Sequence, residues 1–358
     1  MIRRTQDLSR AARETFDAII DVRSPAEFAG DHVPGAINLP VLDNAERIEI
    51  GTLYVQTSKF LARRLGAAKV ARNIANHLDT ALADRESGFR PLVYCWRGGQ
   101  RSGSMATIMD QIGWPVMVLE GGYRSWRRRV VSLLYETPAD APSPLRIVLL
   151  DGRTGSGKTA VLQRLGAMGH QMLDLEALSQ HRGSLFGAMA SGQPSQKLFE
   201  TRLAEAMETL DPGRPIYVEA ESSRIGEITL PPRLWGAMQQ APRITLSAPV
   251  DARTRHIVDL YGDIADDKAA LETALSRLPR HHSRETVALW RSLAASGRTG
   301  PLVEGLISAH YDPSYDRWAA RQDCTSIGVV DIDLSHDGID GAAMQVAALA
   351  EQFRGWPS

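Results

Sequence analysis

The sequence predicts an α/β protein of two consecutive domains, the second of them built on a parallel sheet. A short apolar strand runs into a cysteine-bearing loop and then a helix around Cys95, and a second strand runs into a glycine-rich loop and a helix after residue 145. A stretch with three prolines and no apolar periodicity lies between them. At 358 residues the chain also exceeds what one core usually serves. The predicted boundaries are 1–135, a linker at 136–144, and 145–358.

The loop around Cys95 is the most informative segment, and it reads Val93-Tyr94-Cys95-Trp96-Arg97-Gly98-Gly99-Gln100-Arg101-Ser102. Backbone N–H groups at such a turn and at the following helix start form a concavity that binds anions. A thiol in that position is expected to have a lowered pKa and to act as a nucleophile. We therefore predict that Cys95 is catalytic, and that the anion is bound by Arg97, Gly98, Gly99, Gln100, Arg101 and Ser102.

The segments on either side of this loop closely resemble rhodanese domains. The resemblance is found in Ile19–Phe28, in Gly30–Pro40 and in Val116–Tyr123, and it covers about residues 10–130. It implies a rhodanese-like α/β fold with Cys95 in the reactive position. Five residues separate Cys95 from Arg101, one more than in typical sulfurtransferase rhodaneses. The wider loop favours a bulkier oxyanion such as phosphate over a bare sulfane sulfur.

The second domain opens with a phosphate-binding motif. The strand Leu145–Leu150 leads into a full G-x-x-x-x-G-K-[ST] match and a helix start, which is the context that a P-loop requires. We predict diphosphate binding by Gly152, Arg153, Thr154, Gly155, Ser156, Gly157, Lys158 and Thr159. The fold class is thus a rhodanese-like α/β domain followed by a P-loop NTPase-like parallel α/β domain.

Two further polar clusters in the second domain follow predicted strands and form a candidate site near the P-loop. Its residues are Asp174, Glu176, His181, Arg182, Glu219, Glu221, Ser222 and Arg224. The second cluster occupies the place of a Walker B strand with Glu instead of Asp, so the sequence predicts no metal site and leaves a Mg²⁺ requirement open. For His310 and Tyr311 we expect packing rather than catalysis.

Overall charge and targeting signals restrict the protein class. The net charge of −1 does not favour nucleic acid, but Arg124, Arg127, Arg128 and Arg129 lie with two aromatic residues in one short segment. Such a segment can bind phosphates and stack bases, or it can be a solvated helix face. Two cysteines, no signal peptide and no long apolar stretch predict a cytoplasmic protein without a membrane partner.

The order of these motifs along nearly the whole chain resembles the tRNA 2-selenouridine synthase family. The resemblance also includes the segment Ile50-Gly51-Thr52-Leu53-Tyr54. It implies an enzyme that converts wobble 2-thiouridine in tRNA to 2-selenouridine through an S-geranyl intermediate. The implied co-substrates are geranyl diphosphate and selenophosphate, the latter supplied by a selenophosphate synthetase, with no tightly bound cofactor. The partner is then the anticodon region of a tRNA, with the four arginines as candidate tRNA contacts.

Two other readings stay open at this stage. One is a rhodanese-type sulfurtransferase or phosphatase fused to a P-loop kinase that acts on small molecules. The other is a non-catalytic nucleotide-binding module, which the intact Cys95, Lys158 and loop arginines argue against. Fold alone does not decide between these readings.

Overall fold

The computed structural model describes residues 2–136, 145–183, 187, 189, 191–260, 268–276, 278, 282–321 and 324–356. The chain forms two compact units, and the predicted linker lies outside the described residues except for Glu136. One unit contains residues 1–137 and 194–208, and the other contains 138–193 and 209–358. Within the described ranges, no helix has the length and apolarity needed to span a bilayer.

The N-terminal unit is built on a five-stranded parallel sheet. Its strands are β1 (Arg3–Thr5), β2 (Ala18–Asp21), β3 (Ala36–Asn38), β4 (Pro91–Tyr94) and β5 (Met117–Leu119). Their order is β1-β5-β4-β2-β3, so the strand that leads into Cys95 is central. In register, Val93 lies opposite Ile20 on one side and Val118 on the other. All three side chains are buried, as expected for a sheet covered on both faces.

Helices cover both faces of this sheet. They are α1 (Arg10–Arg13), α2 (Pro25–Gly30), α3 (Asn44–Gln56), α4 (Lys59–Asp79), α5 (Gln100–Ile112) and α6 (Tyr123–Tyr135). Helix α3 begins with a capping box in which Asp43 and Glu46 satisfy each other's backbone N–H groups. Helix α5 starts directly after the cysteine loop and ends at Gly113 in the left-handed conformation. The loop is therefore fixed between the central strand and a helix N-terminus.

The C-terminal unit contains a second five-stranded parallel sheet. Its strands are β6 (Arg146–Asp151), β7 (Gln171–Leu173), β8 (Pro215–Glu219), β11 (Arg243–Ser247) and β12 (Ser326–Asp331), and their order is β12-β11-β6-β8-β7. A two-stranded antiparallel ribbon, β9 (Arg224–Ile225) and β10 (Ile228–Thr229), follows β8. The predicted α/β folds of both domains are confirmed. Strands β6 and β8 are neighbours, so the loops at their carboxyl ends meet at one edge of the sheet.

The helices of this unit complete the α/β layers. They are α7 (Lys158–Ala167), α8 (Leu175–Ser179), α10 (Pro232–Gln240), α11 (Val250–Leu260), α12 (Lys268–Ser276), α13 (Arg284–Ala295), α14 (Thr299–Leu306), α15 (Asp312–Ala319) and α16 (His336–Gln352). A π-helical turn, Ile307–Tyr311, joins α14 to α15. Such turns frequently occur at functional sites. Helices α7 and α16 contribute Leu162 and Val346 to the core around Val148.

Helix α9 (Gln196–Glu208) lies between β7 and β8 in sequence but packs with the N-terminal unit. Residues 194–208 therefore belong to the N-terminal unit by their contacts, whereas the predicted boundary assigns them to the second domain. The buried Trp126 of α6 donates its indole N–H to Thr201 Oγ1 at 3.1 Å, and both residues are almost inaccessible to solvent. A buried indole N–H without a partner is costly, so Thr201 ties α9 to α6.

Candidate active sites

Cys95 lies at the end of the central strand β4, buried, with hydrogen-bond donors around its sulfur. The backbone N–H of Gly99 donates to Sγ at 3.3 Å, and the Ser102 hydroxyl donates at 3.2 Å. Burial raises the pKa of the Cys95 thiol, but the Ser102 hydroxyl and the surrounding backbone N–H groups outweigh burial, so the pKa is lowered. The loop thus stabilises a thiolate in the way that the sequence predicts.

A second glycine-bearing turn holds the cysteine loop in shape. Gly122 has φ +61°, and a Cβ built on it would lie 2.2 Å from the Cys95 carbonyl oxygen and 2.5 Å from the Gly98 backbone nitrogen. The next residue, Tyr123, donates its backbone N–H to the same Cys95 oxygen at 2.9 Å. The closing strand therefore approaches the loop so closely that a side chain at position 122 is excluded.

The two loop arginines differ in their surroundings. Arg97 is exposed, whereas Arg101 donates from Nη1 to Glu27 Oε2 at 2.8 Å. Glu27 also accepts from the Ser24 backbone N–H at the start of α2, and Arg47 Nε lies 3.7 Å from its carboxylate. Burial raises the pKa of Glu27, but its bonds to Arg101 outweigh burial and the pKa is lowered. Glu27, which the sequence reasoning did not single out, therefore fixes the orientation of Arg101.

Under the loop lies a buried polar network that starts from the first rhodanese-like segment. Arg23 pairs with Asp21 at 2.6 Å, and its guanidinium lies 4.0 Å from the centre of the Tyr123 ring. Tyr123 donates its hydroxyl to the buried carboxylate of Asp31 at 2.7 Å. Burial raises the pKa of Asp31, against the hydrogen bonds from Tyr123 and Thr201. The network positions the turn that carries Gly122.

The arginine-rich segment forms part of α6 and meets the acidic face of α9. Arg127 pairs with the buried Glu200, and Arg129 Nη2 lies 2.7 Å from Glu208. Arg124 and Arg128 are exposed. Two of the four arginines predicted for tRNA are thus paired within the N-terminal unit, because the glutamates of α9 are spaced to meet them.

The P-loop follows β6, the central strand of the second sheet. Lys158, the first residue of α7, donates from Nζ to the Gly152 carbonyl oxygen at 3.0 Å, and the Thr159 hydroxyl bonds to Glu219 at the end of β8. The loop amides and the N-terminus of α7 form an anion-binding site in this arrangement. Lys158 adds the fixed cation that a diphosphate requires.

Three carboxylates converge beside the P-loop. Glu176, Glu219 and Glu221 each offer an oxygen that lies within 4.8 Å of the others. Burial, reinforced by Glu219 and Glu221, raises the pKa of Glu176 to about 9. Burial raises the pKa of Glu219 to about 7 although Lys158 opposes the change, and burial also raises the pKa of Glu221. Gly183 (φ +65°) covers the cluster, since a Cβ there would lie 2.4 Å from Glu176 Oε1.

The same three residues are suited to a divalent cation. Hard cations prefer carboxylate oxygens, and the buried Oε1 of Glu219 has no hydrogen-bond partner among the described residues. Two or more negative charges in this volume require protons or a cation to balance them. The sequence predicts all three glutamates as site residues and predicts no metal ligands. The missed signal is that β7 and β8 lead into acidic segments on neighbouring strands.

A cleft of about 750 Å³ opens over the P-loop and the carboxylates. The polar part of its lining includes His181 and Arg182 together with the P-loop and the carboxylates. Most of its apolar lining residues lie on α11, the π-helical turn and α15, and together with Met189 we call them the apolar wall. The wall consists of Met189, Ile257, Leu260, Tyr311, Tyr315 and Trp318. A ligand with an anionic head and an apolar body fits this division.

An ion-pair network holds the apolar wall against the P-loop. Asp312, the first residue of α15, pairs with the buried Arg253 at 2.7 Å, and Arg253 Nη1 donates to the Thr154 carbonyl oxygen at 3.2 Å. Arg153 Nη2 lies 2.9 Å from Asp316 on the outer side.

The Tyr315 hydroxyl bonds to Asp151, and burial raises the pKa of this phenol strongly. The His-Tyr-Asp-Pro-Ser-Tyr segment is therefore a support of the loop.

The structure brings most predicted second-domain residues to the cleft, but not all of them. The cleft is not lined by Arg153, Ser156 or Arg224. Arg153 is held by Asp316, and Arg224 Nη2 lies 2.8 Å from Glu227.

His310 and Tyr311 are expected from the sequence to pack in the core, but both line the cleft. His310 Nδ1 also lies 2.9 Å from His282 Nε2. The segment Ser184–Phe186 next to Gly183 lies outside the described residues.

Comparisons with known proteins agree with both halves of this description. Residues 5–129 match the family model of the rhodanese-like domain, and residues 145–277 match that of the tRNA 2-selenouridine synthase AAA domain. The tRNA 2-selenouridine synthase of Bordetella bronchiseptica is 33% identical over 83% of this chain and 87% of its own length. That of Psychromonas ingrahamii is 31% identical over 74% and 70%, and that of Shewanella frigidimarina 36% identical over 68% and 65%. The chain therefore belongs to the tRNA 2-selenouridine synthase family.

Proposed function

We propose that this protein is a tRNA-modifying transferase that replaces the sulfur of wobble 2-thiouridine by selenium in two steps. In the first, the sulfur is geranylated from geranyl diphosphate; in the second, selenium from selenophosphate displaces the geranylated sulfur. The observation that supports this most directly is the division of the P-loop cleft into an anion-binding side and an apolar wall. An apolar wall beside an anion-binding loop suits the prenyl chain and the diphosphate of one ligand.

The P-loop cleft suits the geranyl transfer step. The thiocarbonyl sulfur attacks C1 of the prenyl group, the C1–O bond breaks, and diphosphate leaves with the electron pair. The loop amides, Lys158 and Arg182 would stabilise the developing charge on the diphosphate. Tyr311, Tyr315 and Trp318 would pack against the prenyl chain and exclude water from the allylic centre.

A divalent cation fits beside this diphosphate position. Glu176, Glu219 and Glu221 would hold it, with the Thr159 hydroxyl nearby through its bond to Glu219. Such a cation neutralises part of the diphosphate charge when it is bound. In the absence of a cation, protons shared among the three carboxyl groups balance the same charge.

The Cys95 loop suits the selenium step, and electron counting restricts its role. Attack of the thiolate on selenium would leave the P–Se electrons on phosphorus, and the resulting perselenide would need a two-electron reductant. Attack on phosphorus needs none, because an S–P bond forms, the P–Se bond breaks, and selenide leaves. The selenide then attacks C2 of the nucleoside and geranyl thiol leaves, while water hydrolyses the S-phosphocysteine to phosphate. The five residues between Cys95 and Arg101, a spacing that favours a phosphate-sized anion, support this second route.

The two steps are separable by nucleoside mass spectrometry on tRNA that contains 2-thiouridine. With geranyl diphosphate alone, the wild type should add a geranyl group, and selenophosphate should convert that product to 2-selenouridine. Lys158→Ala should slow geranylation by about 100-fold, the loss typical of one charge-stabilising donor. Cys95→Ser should accumulate the S-geranyl product. If 2-thiouridine stays unchanged under both conditions, the proposal is wrong, and turnover of ATP or aryl phosphates without tRNA would support the small-molecule alternative.

For tRNA binding, we propose that Arg124 and Arg128 contact the RNA backbone, whereas Arg127 and Arg129 hold α9. Charge reversal of Arg124 and Arg128 should weaken tRNA binding and reduce its dependence on salt. Unchanged binding would remove this face of α6 from the interface. The exposed Arg72 on α4 offers a control charge reversal on another helix of the same unit.

A further inference from the structure

Helix α3 presents an apolar stripe to solvent instead of to the core. Ile48, Gly51, Thr52 and Val55 follow the i, i+3, i+4, i+7 spacing of one helix face. A stripe of this spacing normally packs inward, yet the side chains of Ile48 and Val55 are 70% and 82% exposed. The four residues line a groove of about 490 Å³ whose other walls are formed by Glu27, Arg47 and Gln56. A groove lined in part by exposed apolar side chains is a candidate ligand site.

Gly51 keeps this groove open. A glycine inside a helix is unfavourable relative to alanine, so its presence calls for a reason. Among the described residues, one atom lies within 4 Å of an ideal Cβ at this position, Nη1 of Arg47 at 2.8 Å, and that is the end of a flexible side chain. The helix backbone therefore has no need of glycine here. A side chain at position 51 would instead occupy the groove.

One end of the groove adjoins the cysteine loop. Glu27 lines the groove and binds Arg101 at 2.8 Å, so the same carboxylate is a wall of the groove and a support of the loop. The residue after Arg101 is Ser102, whose hydroxyl lies 3.2 Å from Cys95 Sγ. A ligand whose reacting atom lies at Cys95 can therefore extend an attached group past Glu27 into the groove.

The chemistry of the groove fits an apolar chain attached to an anionic polymer. Ile48 and Val55 are seven residues apart, about 10 Å along the helix axis, which matches the extended length of a ten-carbon prenyl chain. Arg47 and the exposed Arg97 provide cations at the loop end, where RNA phosphates would follow the nucleoside. A lipid surface or a second copy of the chain would leave the neighbouring Cys95 loop without a role.

We propose that the α3 groove binds the prenyl chain of the S-geranylated wobble nucleoside while its base faces the Cys95 loop. This inference rests on the proposed two-step function and names the second prenyl-binding site that such a sequence requires. The groove would retain the geranylated intermediate in preference to unmodified 2-thiouridine. It also gives Gly51 and the Ile50–Tyr54 segment a role that the P-loop chemistry does not provide.

The test is a binding titration of the full chain with labelled anticodon stem–loop RNAs that carry synthetic S-geranyl-2-thiouridine or 2-thiouridine. The wild type should bind the geranylated RNA about tenfold more tightly, as expected for partial burial of the chain. Gly51→Leu, which fills the groove, should bring the affinity for geranylated RNA down to that for 2-thiouridine RNA and leave the latter unchanged. Gly341→Leu is the matched control, because Gly341 is also helical and an added Cβ there meets open space.

Three outcomes would overturn the proposal. One is a wild type that binds both RNAs equally; another is a Gly51→Leu protein that keeps the preference; the third is a variant that loses both RNAs alike, which would make the groove an RNA-backbone site. Light scattering of the same variants tests self-association, and a change of mass in Gly51→Leu would assign the groove to a second copy. Because the geranylated RNA is synthetic, failure of the chain to geranylate 2-thiouridine would count against the proposed function and not against the groove.

Discussion

Replacing Glu219 with Gln should stabilise the C-terminal unit, and the gain should grow as the pH rises. The side chain is 98% buried beside two other carboxylates, and burial raises its pKa to about 7. Between the ordinary value of 4.5 and this raised value, the folded state binds more protons than the unfolded state does. The stability of the wild type must therefore fall as the pH rises through that window.

The size of the effect follows from the same two pKa values. A pKa raised from 4.5 to about 7 corresponds to about 3 kcal/mol at 1.36 kcal/mol per pH unit. The loss is absent below pH 4.5 and complete above pH 7. A neutral amide of the same shape lacks it, and its N–H₂ group can donate to Glu176 or Glu221. We therefore expect Glu219→Gln to be more stable than the wild type by up to about 3 kcal/mol at pH 8 and about equal at pH 4.5.

The assay is urea unfolding from pH 4.5 to 8.5 in a chelator, with pulsed hydrogen exchange read on peptides of β6 and β8. Peptide resolution separates the C-terminal unit from the N-terminal one, which a whole-chain signal would not do. Glu227→Gln is the matched control, since Glu227 is exposed and pairs with Arg224 at the surface. A Glu219→Gln protein with the pH dependence of the wild type would refute the reasoning. Added Mg²⁺ should flatten the wild-type curve if the three glutamates bind it.

Three other predictions concern the N-terminal unit. Ser102→Ala removes the largest stabilising contact of the thiolate, so the pKa of Cys95 should rise. The pH dependence of iodoacetamide alkylation measures this pKa. An unchanged profile would assign the lowered pKa to the backbone N–H groups alone. Gly122→Ala should destabilise the unit by about 2 kcal/mol or more in urea, because φ +61° and the Cys95 oxygen both exclude a Cβ, and a smaller loss would mean that the turn can shift. Glu200→Ala leaves the Arg127 guanidinium without its glutamate partner and should lower the free energy of unfolding by about 3 kcal/mol. The double variant Arg127→Met with Glu200→Met should recover most of that stability. Equal losses in the single and double variants would contradict this account.

The fold and the two loops could be predicted because each is encoded locally. The strand, loop and helix around Cys95 occupy adjacent residues, as do those around Lys158, and sequence periodicity reports such units directly. The parallel order of β6 and β8 follows from the P-loop architecture, and the sequence accordingly predicts Glu219 at the carboxyl end of a strand. These are properties of short segments and of their connection rules.

The missed features all join residues that are far apart in sequence. Glu27 and Arg101 are separated by 74 positions, and the pairing of α9 with α6 joins Thr201 to Trp126 over 75. Arg153 belongs to the P-loop motif, yet Asp316 holds it outside the cleft, since charge partners decide where a long side chain points. A single sequence shows the types of these residues and not their partners.

The placement of α9 determines how this protein can be dissected. A fragment that ends at residue 135 would contain every strand of the first sheet and still lack the helix that receives the Trp126 indole N–H. It would expose an apolar face and leave Arg13, Arg127 and Arg129 without their glutamate partners on α9, and we expect it to aggregate or bind RNA indiscriminately. A faithful isolated N-terminal unit has to restore residues 194–208, for example by fusing them through a flexible linker. The N-terminal unit is thus not continuous in sequence. A cut at the predicted linker removes residues 194–208 from the unit to which they belong.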